Sequence, residues 1–315
     1  MRPDPATGGR RDMGEATVCV YGSPPSGLIE VPPEAVQVSP LVPGAGSLEE
    51  LAEAGLDSAL VAAPPGTIER RYVLARALQA VRPSAALTAL APRDKGGARL
   101  RKELEAFGCG VTETSRHHQR ICRAVRPETP VGLDAAIAAG ALQFSSALGL
   151  WTQPGVFSWD RPDPGTQRLV AALPALAGRG ADLGCGLGEL ARCALARPAV
   201  TRLDLVDIDR RAVAAARRNV ADPRAHTHWA DARLSPDLAE LDFVVMNPPF
   251  HDHGVEDREL GEAFIRRARQ ILRAGGTLWI VANRHLPYEA VLNELFAEVA
   301  LKGEDRSFKV CEARR

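Results

Sequence analysis

The stretch Asp182-Leu183-Gly184-Cys185-Gly186-Leu187-Gly188 limits what this chain can fold into more than any other. Its three glycines let a backbone turn sharply and come close to a ligand that side chains would hold away. A short apolar approach precedes the cluster and helix-forming residues 189–197 follow it, so the order reads strand, glycine loop, helix. That order belongs to an α/β sheet that binds ligands at the carboxyl ends of its parallel strands.

The same alternation continues downstream. Residues 202–206 form an apolar strand ending at Asp207, and a helix follows over 210–220. An acid at that place can accept both ribose hydroxyls of a nucleoside cofactor. The next strand, 226–230, ends at Asp231, which is placed to accept a hydrogen bond from an adenine amino group. Asp182, opening the glycine loop, repels phosphate and suits the ammonium of a methionine moiety, so S-adenosylmethionine fits better than a dinucleotide. A helix is predicted over 165–177, interrupted by Pro174, and another over 257–273. A Gly275-Gly276 break, a strand over 277–282, a helix over 288–296 and a closing hairpin (298–301 with 307–313) complete the half. These elements predict a doubly wound, mostly parallel sheet with one antiparallel strand near its edge.

The strand 241–246 is an unbroken apolar run, as a buried parallel strand requires, and it ends in Asn247-Pro248-Pro249-Phe250. An exocyclic amine on a nucleobase is a poor nucleophile because its lone pair is delocalised into the ring. Oxygen acceptors that hold both N–H groups favour the pyramidal form that frees the pair, and Asn247 Oδ1 with the Pro248 carbonyl can do this. The prolines stiffen the turn, and Phe250 offers a face for the base to stack on. His251 and Asp252 read as solvated loop residues, since a sulfonium is already a good leaving group and alignment lowers most of the barrier.

At this point the second half resembles the bacterial ribosomal RNA guanine-N2 methyltransferases, most of all the two-domain small-subunit enzymes. The matching residues are Pro154-Gly155-Val156-Phe157-Ser158 with Asp163 and Gly165, the glycine loop, the Asn247 turn with His251, Val281-Ala282-Asn283 with Leu286-Pro287-Tyr288, and Phe308-Lys309-Val310. The Asn247 turn alone also suits an adenine-N6 or a protein glutamine-N5 acceptor; the 281–283, 286–288 and 308–310 trail points to guanine N2. The resemblance implies a duplicated Rossmann-like class I methyltransferase fold whose first copy is degenerate. It implies S-adenosyl-L-methionine as cofactor and ribosomal RNA or a ribosomal subunit as partner. Asp182, Gly184, Gly186, Asp207 and Asp231 would bind the cofactor, with Phe157 and Ser158 at its methionine end and Cys185, Gly188, Ile208, Ala232 and Asn247 completing the shell. Asn247, Pro248 and Phe250 would hold the target base. Two positions depart from the family pattern: His253 precedes Gly254, and Arg306-Ser307 replace a glycine-containing approach to the last strand. A reading of another class, a non-catalytic RNA-binding or assembly protein that retains a cofactor pocket, is opposed by the intact Asn247.

The first half reads as a worn copy of the second. Residues 56–66 repeat the Leu-Asp start, apolar strand and Pro-Pro turn of 241–250, an Arg-rich helix (67–81) and a strand (85–91) follow, and 120–124 matches 309–313. Ala63 stands where Asn247 stands, Gly66 where Phe250 stands, and no glycine loop precedes them. This half is expected neither to bind cofactor nor to catalyse, but to hold RNA or to support the second half. The resulting organisation is a flexible tail (1–15), a degenerate domain (16–126), a linker with a helix (127–158) and a catalytic domain (159–315). Trp151, in the aromatic stretch 151–159, is expected to be buried between the domains.

Charge does not advertise a nucleic-acid binder, since 39 Lys and Arg balance 39 Asp and Glu. Local basic surface is left to the stretches 93–102, 116–126 and 266–273. The six cysteines are scattered, with no zinc-like spacing, which favours reduced thiols in the cytoplasm and no metal. No apolar run is long enough to cross a bilayer, and the chain is expected to act as a soluble monomer.

Overall fold

The computed structural model describes residues 17–234, 237–249, 251–252, 255–256 and 258–315. The expected tail over 1–15 and Phe250, expected to stack on the base, therefore lie outside the described residues. The chain divides into two units, Met1–Ala141 and Leu142–Arg315.

The first unit runs β1 (Val18–Tyr21), β2 (Val36–Gln37), β3 (Leu56–Ala62), α1 (Thr67–Ala80), β4 (Val81–Pro92), α2 (Ala98–Glu105), β5 (Gly110–Arg116), β6 (Gln119–Val125) and α3 (Leu133–Gly140). Its sheet has the order β2-β1-β3-β4-β6-β5, parallel except for β6, which is antiparallel to both neighbours. The helix read as part of a linker, α3, belongs to this unit and packs on α1. Its last residue has no side chain for a plain reason: a Cβ on Gly140 would stand 2.3 Å from the Tyr72 Cβ.

The second unit opens with a hairpin, β7 (Gln143–Ser145) and β8 (Leu150–Thr152), and then alternates: α4 (Pro164–Ala172), β9 (Gly178–Leu183), α5 (Glu189–Leu195), β10 (Val200–Asp207), α6 (Arg210–Asn219), β11 (Ala225–Trp229), β12 (Leu241–Met246). The short pair β13 (His251–Asp252) and β14 (Val255–Glu256) follows, then α7 (Arg258–Ile271), β15 (Leu272–Asn283), α8 (Glu289–Leu295), β16 (Glu298–Glu304) and β17 (Phe308–Arg314). The sheet order is β11-β10-β9-β12-β15-β17-β16, with β17 the antiparallel strand next to the edge. Strip β11 from this order and the first sheet remains, strand for strand.

Register makes the duplication specific. Leu241 pairs Leu272 and, after an irregularity, Phe243 pairs Thr277; Leu56 pairs Val81 and, after the same irregularity, Ser58 pairs Ala86. Cys311 lies opposite Ile280 and Cys122 opposite Ala89, so even the closing strands meet their neighbours alike. The copies differ at the end of the turn strand, where Ala62 still pairs Leu90 before the prolines arrive.

Local sequence explains the elements that position the site. All six residues of β12 except Asp242 are buried, as expected of a central strand covered on both faces. Asp163 caps α4 by accepting the Thr166 N–H at 2.6 Å, and Pro164 occupies the first helical turn, where a missing N–H is harmless. The helix stops at Ala172 and not at 177, because Pro174 forces Leu173 into an extended conformation (φ −63°, ψ 130°). Asp209 caps α6, which turns Ala212, Val213, Ala215 and Ala216 inward and Arg217 and Arg218 outward. Trp151 is only half-buried, and it packs within its own unit. Its backbone N–H and C=O are bracketed by the Asn219 amide at 2.7 and 2.9 Å, and Arg218 lies 4.3 Å from its ring.

Candidate active site

The carboxyl ends of β9 and β12 meet the start of α4 around one cleft. Phe157, Ser158, Gly184, Cys185, Gly186 and Asn247 all line it, so six of the residues picked from sequence converge there. Asp163, Thr166 and Glu189 line it too and had no assigned role in the sequence reading. A signal for Asp163 was present, since Asp-Pro ahead of an apolar period marks a helix start, but its distance of 84 residues from Asn247 hid the contact.

The glycine loop is shaped from below. Gly188 has φ +84°, and a Cβ there would stand 2.7 Å from Val220 Cγ2, so both conformation and packing demand glycine. At Gly186 (φ +50°) a Cβ would meet nothing within 4 Å, which leaves an open face on the ligand side. Asp207, at the end of β10, accepts the Gly186 N–H at 2.8 Å through one oxygen and the Asp209 N–H at 2.9 Å through the other. Its carboxylate therefore fixes the loop and still has lone pairs to offer, while burial raises its pKa to about 6.

Asp182 does not line the cleft. It is fully buried, neither of its oxygens makes a hydrogen bond of good geometry among the described residues, and the Ala191 backbone offsets little of that burial. Burial, reinforced by the nearby Asp207 charge, pushes its pKa up to about 8. Unliganded, it therefore holds its proton near pH 7, and it ionises when a nearby cation offsets the cost of its burial.

The third expected acid, Asp231, is already engaged: Arg233 grips it with Nε at 2.9 Å and Nη2 at 2.7 Å, which holds its pKa below the usual carboxylate range. It keeps a place near Asp207 because β10 and β11 end in register, Asp207 opposite Trp229. Ile208 is 39 % exposed and its carbonyl accepts the Trp229 indole N–H at 2.8 Å, whereas Ala232 is buried in the core.

Asn247 is held in one orientation. Its Nδ2 donates to Asp163 Oδ2 at 2.8 Å and to Thr166 Oγ1 at 3.0 Å. An ionised carboxylate can only accept, so the amide nitrogen must face it, and Oδ1 is left as the acceptor beside the cleft. Pro248 is buried and does not line the cleft. With Asp163 and Glu189 in the cleft and Asp207 beneath it, the site is acidic. It repels phosphate and fits a ligand carrying a sulfonium and an ammonium, as S-adenosylmethionine does.

The matching turn of the first unit is filled by the chain itself. Arg70, 1 % exposed, donates to the Pro64 and Pro65 carbonyls at 3.2 and 2.7 Å and forms a two-pronged pair with Glu103, both contacts 2.7 Å. A Cβ on Gly96 would stand 2.2 Å from the guanidinium, so glycine is needed to close over it.

Comparison with known proteins places this architecture. Residues 147–312 match the family model of the methyltransferase small domain. The ribosomal RNA small subunit methyltransferase C of Klebsiella pneumoniae is 39 % identical over 165 residues, 52 % of this chain and 48 % of that protein. Its namesake in Chromohalobacter salexigens is 34 % identical over 225 residues, 69 % of this chain and 66 % of the relative. For the first of these, as for the Shewanella loihica relative (47 %), the chain spans about half the length of the protein it matches. Among solved structures, the T. thermophilus 16S rRNA N2 G1207 methyltransferase (RsmC) in complex with AdoMet and guanosine shares the fold. Its TM-score is 0.77 over 95 % of this chain and 88 % of that one, at 22 % identity.

Proposed function

We propose, from the premise that this chain belongs to the methyltransferase small domain family, that it transfers a methyl group from S-adenosylmethionine to the exocyclic N2 of a guanine in small-subunit ribosomal RNA. The observation that carries this reading is the pinned amide of Asn247. Its nitrogen is spent on Asp163 and Thr166, so the oxygen faces the cleft as a preset acceptor, next to the glycine loop. Preset dipoles act without reorganising when charge develops, which is where most of their catalytic worth lies.

The donor, once bound, supplies an electrophilic methyl group. The remaining work belongs to the chain. Asp207 shapes the loop and has lone pairs for ribose hydroxyls, the buried Asp182 gives up its proton as the ligand's positive charge arrives, and Phe157, 56 % exposed, offers an apolar face at the cleft mouth. Asn247 Oδ1 and the Pro248 carbonyl accept the two N–H groups of the target amine and lend its nitrogen pyramidal character; the proton lost afterwards passes to solvent. Phe250 is assigned the stacking face for the base. The names of the relatives above supply the substrate class, and the acceptor geometry agrees with it. All six cysteines are free thiols, which suits work in a reducing cytoplasm, and the protein acts as a monomer in this reading.

The test is direct. Incubation with labelled donor and small ribosomal subunits, followed by digestion of the RNA, should yield N2-methylguanosine; label in N6-methyladenosine, in protein, or nowhere would overturn the assignment.

A further inference from the structure

Two of the basic stretches noted in the sequence meet at one point of the first unit. Strands β5 and β6 form a hairpin in which Arg116 pairs Gln119 across the two-residue turn His117-His118. The Arg93 N–H donates to the His118 carbonyl at 3.1 Å and ties the tip of the hairpin to the end of β4. Between them lies a cleft of about 270 Å³ lined by Arg93, Arg116, Arg120 and both histidines, with Ser115 and Gln119 beside them and no carboxylate among its lining residues. Arg120 is held in place by Glu113 at 2.8 Å and Ser115 at 2.6 Å. Arg93 and Arg116 are exposed, and neither has an ion-pair partner among the described residues.

The turn is not built for stability. His117 (φ +47°) and His118 (φ +62°) are both left-handed, the conformation that a two-residue hairpin turn normally gives to Asn-Gly. Histidine at both positions works against the hairpin. What it adds is two imidazoles beside three guanidinium groups, a concave surface of N–H donors that suits the oxygens of a phosphodiester.

We propose that this hairpin tip is a phosphodiester-binding contact through which the cofactor-free unit grips the RNA substrate. The proposal rests on the ribosomal RNA reading above and assigns a task to a unit whose own turn is filled by Arg70. The zero net charge of the chain is compatible with it because the positive charge is local.

The full-length protein, labelled small-subunit ribosomal RNA transcribed in vitro, and fluorescence anisotropy across a salt series provide the test. Arg93→Glu with Arg116→Glu should weaken binding by about tenfold or more and lower the slope of log affinity against log salt by about 2. His117→Asn with His118→Gly should raise the thermal unfolding midpoint, because the turn gains its preferred residues, and yet weaken RNA binding. A purely structural hairpin would not move those two readouts in opposite directions. Cofactor affinity should stay unchanged in both variants. Wild-type affinity and salt slope in either pair would overturn the proposal, as would full displacement of the RNA by millimolar inorganic phosphate at constant ionic strength, which would mark a phosphate-ion site. Wild-type protein that binds the RNA while the variants equal it would sink this inference alone; wild-type protein without affinity for the RNA would remove the functional reading beneath it.

Discussion

Exchanging Asn247 and Asp163 separates the orientation of an acceptor from its presence. Asn247→Asp preserves shape and still turns an oxygen to the cleft, but it places a second carboxylate oxygen where Nδ2 now stands, 2.8 Å from Asp163 Oδ2. Two unit charges at that separation repel by roughly 6 kcal/mol at an effective dielectric of about 20, before the pair relaxes or takes up a proton. Either response forfeits the charge-assisted hydrogen bond that aims the side chain, worth about 1.5–3 kcal/mol, so transfer should slow by about 10- to 150-fold. Asn247→Ala, which removes the acceptor, should remove about 2–4 kcal/mol of transition-state stabilisation, roughly 30- to 900-fold in rate. The informative variant is Asp163→Asn with Asn247→Asp. Asp163 Oδ2 accepts from both the Thr166 N–H and Asn247 Nδ2, so the amide now on 163 can donate to the carboxylate now on 247 only by turning its carbonyl away from that shared position; with the like-charge repulsion gone, transfer should recover part of the loss and exceed the slower single variant. Single-turnover transfer to small ribosomal subunits, with cofactor affinity measured by calorimetry as the control, reads all three. A reciprocal pair no faster than the slower single variant, or Asn247→Asp at the wild-type rate, would refute the argument.

Three further expectations concern stability and the cofactor. Asp182 keeps its proton to about pH 8 when folded but loses it near 3.8 in an unfolded chain, so folding takes up a proton between those values. Unliganded stability should therefore be highest below pH 4 as far as this group is concerned and fall by about 1.4 kcal/mol per pH unit across the window; urea unfolding of Asp182→Asn should lose that slope, and a variant no more stable than wild type at pH 8 would contradict it. Arg70→Ala leaves Glu103 buried without its partner and should lower stability by about 3–5 kcal/mol, whereas Arg70→Met with Glu103→Met should recover most of it; denaturant unfolding reports both, and calorimetry should show cofactor affinity untouched. Gly186→Ala places a methyl group in open space on the ligand side at φ +50°, so the protein should fold with a stability loss of about 1–2 kcal/mol and bind S-adenosylmethionine at least tenfold more weakly. Unaltered affinity would move the cofactor away from that face.

Local patterns were enough for the architecture. An apolar run with no polar alternation has to be a strand covered on both faces, and β12 is one. Glycines spaced 184, 186, 188 after such a strand have few uses other than a ligand loop, and the paired Leu-Asp and Pro-Pro signals of 56–66 and 241–250 gave away the duplication. Periodicity alone over-extends α4, because an apolar period runs past Pro174 although the backbone cannot. No periodicity reveals where α3 packs, because its partner, the face of α1 around Tyr72, lies some sixty residues upstream.

Composition and spacing identify which side chains are chemically able; what they are free to do depends on neighbours that the chain brings together from afar. Asn247 is an acceptor and not a donor only because Asp163 and Thr166 claim its nitrogen. Asp231 is held by Arg233, Asp182 is sealed away beside Asp207, and the first unit's turn is occupied by Arg70. Hydrogen-bond direction, desolvation and occupancy are properties of an enclosed arrangement in three dimensions, and a string of residues carries them only after it has folded.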